Sequence, residues 1–136
     1  KEDTLGRGLD HHEHAEWLQW LHYAETVAVH GASLVQQNII IAKELRSPVV
    51  IKLESRRLEK AIEVLNNHLE GKDYLLKSGF SAIDTAVGYS IHMGSMFINI
   101  SEYKNVVNYY NNLKNREAFK KSLPKEVNDP LEKIEV

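Results

Sequence analysis

Apolar residues along this chain recur at spacings of three and four, and the alternation expected of strands is scarce. The clearest stretch holds Leu58, Ile62, Leu65 and Leu69 on one face, with Arg56, Arg57, Glu59, Lys60, Glu63 and Asn66 on the other. That pattern predicts an amphipathic helix, opened by Ser47-Pro48 and closed near Gly71. Upstream, Asp10 and Glu13 have the spacing of a capping box, ahead of a helix whose face carries Trp17, Leu21, Ala24 and Ala28, joined by Leu18 and Trp20. Charged residues are absent from Thr26 to Ala42, a run that includes Ile39-Ile40-Ile41, so the second half of this helix is expected to be enclosed or to meet a partner.

A third helix should begin at Ser81, where S-A-I-D forms a capping box with Asp84. Losing a Ser cap of this kind costs about 1 kcal/mol. From Thr85 to Ile100 no charged residue occurs, and the predicted helix belongs at the centre of a bundle. Those sixteen residues would extend roughly 24 Å, short of the roughly 20 residues needed to cross a bilayer. Val106, Val107, Tyr110 and Leu113 predict a fourth helix, and Phe119 with Leu123 a short fifth. The fold class is therefore all-α, a bundle of five to six helices around a central buried one. Residues 1–9 read as a lead-in, 10–123 as the helical domain and 124–136 as a tail.

The length, 136 residues with 43% hydrophobic and 26% charged, suits a single packed domain. A net charge of −2 provides no footprint for nucleic acid or an anionic membrane. Cysteine is absent, which removes disulfides, thiolate metal sites and a cysteine nucleophile. No leader-like segment opens the chain, so a cytoplasmic location is expected. Asp10, His11, His12, Glu13 and His14 invite a metal reading. The order HEHAE lacks the H-E-x-x-H signature, and the cluster is taken as a solvated helix start with no metal. Ser81 and Asp84, with no His positioned beside them, are capping residues and not a nucleophilic relay.

Three segments, in order, resemble the C-terminal helical domain of the cytosolic glutathione transferases, in particular bacterial and fungal members. They are WLHYAE at Trp20–Glu25, LEGKDYLLKSGFSAIDTAVGY at Leu69–Tyr89, and YKNVVNYYNNLKNREAFKKSL at Tyr103–Leu123. Ile83 and Thr85, on either side of the capping aspartate, depart from the family's usual Ala and bulky aliphatic.

The resemblance implies the helical half of a glutathione-conjugating detoxification enzyme, whose thioredoxin-like N-terminal half binds glutathione and is not among these 136 residues. By itself the chain is then expected to have no catalytic residues and to need no cofactor, glutathione being a co-substrate of the whole enzyme. It would shape the pocket for a small electrophile, with Tyr23, Thr26, Val27, His30 and Leu34 as the candidate wall, and it would form a homodimer. The other reading of the same residues is a stand-alone helical module for protein association.

Overall fold

The computed structural model describes residues 5–122. It contains five α-helices: α1 His14–Val35, α2 Pro48–His68, α3 Ala82–Gly94, α4 Lys104–Lys114 and α5 Glu117–Ser122. No strand occurs among the described residues. α1 lies between α2 and α3 and packs most extensively on α3; α4 closes the bundle over α2 and α3. Leu123 and the tail that follows lie outside the described residues.

α2 follows its sequence closely. Pro48 takes the first helical position, and Ser47 Oγ accepts from Val50 N–H at 3.3 Å. Leu58, Ile62, Leu65 and Leu69 are all buried. The helix ends at His68, and Gly71 turns the chain away with φ +68°, a conformation glycine adopts without the strain a Cβ brings.

α1 differs from its sequence reading. Glu13, not Asp10, sits at its N-cap and makes no side-chain cap bond. The Glu13 carboxylate instead accepts from the Lys77 and Ser78 amides, 2.9 and 3.3 Å away on the α2–α3 connection. A tertiary partner has taken the group that a local capping box would have used. The buried face is Trp20, Ala24, Val27, Gly31 and Leu34, while Leu18 is exposed. A helix held between two neighbours needs two contact stripes, so its buried face is not the one its outer apolar residues suggest. α1 runs into a π-helical turn, Gln36–Ile40, which leaves Ile40 exposed instead of enclosed.

α3 is central but not wholly surrounded. Ile83, Asp84, Val87, Gly88, Ser90 and Ile91 are buried, yet Thr85 and Tyr89, one helical turn apart, stay exposed along one edge. The helix also stops at Gly94, and the chain turns through 95–103 before α4 begins.

Candidate functional site

Two apolar grooves run beside α1. The larger, about 800 Å³, lies between α1 and α2. Tyr23, Thr26 and His30 form its α1 wall; Val49, Leu53, Ala61 and Val64 form much of its α2 side, with Lys52, Arg56, Arg57 and Lys60 also lining it. The smaller, about 370 Å³, lies between α1 and α3 and is lined by Ala28, Ala32, Val35, Gln36, Ile40, Tyr89, Ser90 and Met93.

The structure therefore separates the five residues singled out from sequence. Tyr23, Thr26 and His30 share the α1–α2 groove. Val27 and Leu34 are fully enclosed in the core and line neither groove. They occupy the inward stripe of α1, where their neighbours are the other buried side chains of the bundle. Nothing local in the sequence distinguishes the inward stripe from the outer one in so apolar a helix. The α1–α3 groove was missed; its signal was the small residues Ala28 and Ala32 facing an uncharged helix.

The edge of the α1–α2 groove carries a hydrogen-bonded charge cluster. His30 Nδ1 lies 2.7 Å from Glu54 Oε2, and Arg57 Nη1 lies 2.6 Å from Glu54 Oε1. A carboxylate can only accept, so His30 donates from Nδ1 and its Nε2 carries the lone pair when the ring is neutral. The His30 hydrogen bond is the main influence on Glu54, opposing burial, and together with Arg57 it holds the carboxyl below its ordinary range. Tyr23 is anchored through its hydroxyl, which donates to the Ala61 carbonyl at 3.1 Å. Arg56–Glu59 and Lys60–Glu63 are exposed pairs on the outer face of α2.

At the opposite side of the bundle, Asp84 organises the head of α3. Its carboxylate accepts from Ser81 N–H at 2.8 Å, Leu75 N–H at 3.1 Å and the Tyr109 hydroxyl at 3.0 Å. Burial pushes its carboxyl up despite these bonds. Ser81 takes the N-cap in extended geometry and its hydroxyl faces the Asp84 amide as in a capping box. That arm is too loose to close a bond, and the Ser81 Oγ has no hydrogen-bond partner among the described residues. Asp84 carries the cap.

The lead-in is fastened to the same region. Ala82 N–H donates to Leu5 O at 2.9 Å, and Arg7 donates from Nε to Ser78 Oγ at 2.8 Å. Leu5 and Tyr89 both line a third apolar cavity beside α5. That cavity shares Tyr89 with the α1–α3 groove and shares no lining residue with the α1–α2 groove.

No family model matches the sequence, and no curated protein matches it. The similarity appears in three dimensions, to solved glutathione transferases. A glutathione S-transferase from Methylobacillus flagellatus with glutathione bound superposes with a TM-score of 0.76 at 20% identity, over 88% of this chain and 60% of that one. A glutathione transferase from Burkholderia graminis with two glutathione molecules per subunit gives 0.77 at 18%, over 88% and 54%. One from Phanerochaete chrysosporium with oxidised glutathione gives 0.78 at 14%, over 89% and 56%. The chain spans little more than half the length of these proteins, and its fold is that of their C-terminal helical region. Among the described residues no helix is long and apolar enough to cross a membrane.

Proposed function

We propose that the chain is the helical half of a glutathione transferase, supplying the wall of the second-substrate pocket and a subunit contact. The observation that carries this reading is the placement of α1 between two apolar grooves within a fold shared with glutathione-bound enzymes. Conjugation is attack of a glutathione thiolate on an electrophile. A helical half contributes to that reaction by holding the apolar electrophile and keeping water from it. The thiol-lowering group belongs to the thioredoxin-like half that the resemblance implies.

The α1–α3 groove is assigned as the electrophile wall because Tyr89, which lines it, also lines the cavity that Leu5 of the lead-in borders, the side on which an upstream half would join. The exposed Tyr89 on α3, with Met96 exposed just beyond the helix end, fits the same assignment, since exposed apolar side chains of this kind call for a covering neighbour. The α1–α2 groove, with Val49 at 70% and Val64 at 48% exposure, is assigned as the homodimer face. A second placement puts the electrophile against Tyr23, Thr26 and His30, and the larger volume of that groove favours it.

The test uses the longest reading frame containing the chain, assayed with glutathione and a generic aryl electrophile. Conjugation is expected, with KM for the electrophile raised by Ala32→Trp and little changed by Thr26→Ala or His30→Ala. The reverse ranking would move the electrophile to the α1–α2 groove. A frame that neither binds glutathione nor conjugates leaves the association module, the other reading, which the same exposed aliphatic face supports. Light scattering on the chain alone would then have to show self-association for that reading to stand.

A further inference from the structure

We propose that His11, His12 and Glu13 form a surface site for a divalent transition-metal ion of the zinc or nickel class. His11 and His14 are three residues apart, a spacing that a helix would bring to one face, but the chain is not yet helical at His11. In the irregular turn before α1, one ligand atom from each of His11, His12 and Glu13 lies within 4.8 Å of the other two. The two imidazoles stack with centroids 4.6 Å apart and planes inclined by 21°, which keeps the two rings side by side. His14, whose Nδ1 donates to the Arg7 carbonyl at 2.6 Å, is not among the residues whose ligand atoms are gathered here.

The carboxylate is held in place before any ion arrives. Glu13 is buried and fixed by the Lys77 and Ser78 amides. Its Oε2 receives a long 3.3 Å bond from Ser78 N–H, and a carboxylate oxygen has two lone pairs, so a second acceptor site on it can face an ion. Two imidazole nitrogens and one carboxylate oxygen are a donor set suited to borderline ions, with water completing the shell. One bond opposes binding. His11 Nδ1 accepts from the Glu13 amide at 3.1 Å, and an ion must either compete for that lone pair or take Nε2 after the ring proton moves to Nδ1. The affinity expected is therefore micromolar and not that of a structural zinc site. The site is remote from both grooves, since Tyr23 lies more than two helical turns further along α1, and it does not depend on the function proposed above.

The experiment is calorimetric titration of the untagged, chelator-stripped full chain with Ni²⁺ and separately with Zn²⁺. One equivalent should bind, and His11→Ala and His12→Ala should each weaken binding about tenfold or more. His14→Ala should stay within about twofold of the parent, because its ring is neither in the gathered group nor bonded to one of the three ligands. Circular dichroism of each variant, substituted in the turn before α1 or at its first residue, verifies the fold. Failure of both ions to bind, equal binding by His12→Ala, or equal weakening by His14→Ala would overturn the assignment.

Discussion

Asp84 and Glu54 are both buried carboxylates on helices, and the protein treats them in opposite ways. Asp84 is wholly enclosed and accepts from two amides and a tyrosine hydroxyl, all neutral donors. Burial wins there, and its carboxyl is pushed up. Glu54 sits at the edge of a groove, hydrogen-bonded to His30 and Arg57, and its carboxyl is held down. Depth alone does not set the balance. A carboxylate bonded mainly by dipoles holds backbone together, whereas one paired with an arginine and a histidine at a rim is tied to an open surface that still has room for a partner.

The largest test of this contrast is Asp84→Ala. It would leave the Ser81 and Leu75 amides and the Tyr109 hydroxyl without their acceptor inside the core, at an expected cost of about 3 kcal/mol or more in urea unfolding. A loss below about 1 kcal/mol would mean that Asp84 does not organise the head of α3. Gly88→Ala probes the same helix by packing. A Cβ there would overlap Leu113 Cδ1 and press on Phe119 Cε2 at 3.2 Å, so a loss of about 2 kcal/mol is expected. Gly94→Ala, whose Cβ would meet Leu58 Cδ1 at 3.3 Å, should cost less in the same denaturation series.

Glu54→Gln should cost about 1 kcal/mol at neutral pH, because its partners are partly solvated. Glu54 has a lowered carboxyl in the folded state, so its contribution is present above the ordinary 4.5 and is lost as pH falls below it. Asp84 has a raised one, so its contribution is present below the ordinary 3.8 and is lost as pH rises above it. Stability differences between the parent and Glu54→Gln, and between the parent and Asp84→Asn, should therefore slope in opposite directions between about pH 3 and 6. Parallel slopes would show that the two environments do not differ. Ser81→Ala should be the smallest effect, under about 0.5 kcal/mol in thermal unfolding, because its hydroxyl makes no bond to lose.

Much of the fold could be read from residue spacing, and where it could not the reason is tertiary. α2 was plain because one side faces the core and the other faces water, so Leu58, Ile62, Leu65 and Leu69 declare the buried stripe. α1 has apolar residues all round, and Val27 could not be told from Tyr23 before neighbours were in place. Glu13 looked like a local cap until residues 64 and 65 positions later in the chain supplied its partners. The uncharged run Thr85–Ile100 placed α3 at the centre, but the exposed edge at Tyr89 depends on a covering surface that sequence spacing does not encode. Of the candidate pocket residues, Tyr23, Thr26 and His30 did converge on one groove, since residues three and four apart share a helix face.

The fastening of the lead-in to the head of α3 has a mechanical consequence. Leu5 is bonded to Ala82, Arg7 to Ser78, and Glu13 to Lys77 and Ser78, so a pull applied at Leu5 loads the start of the innermost helix directly. Stretching from that end should rupture as one brittle event at the anchor, not by gradual peeling of α1.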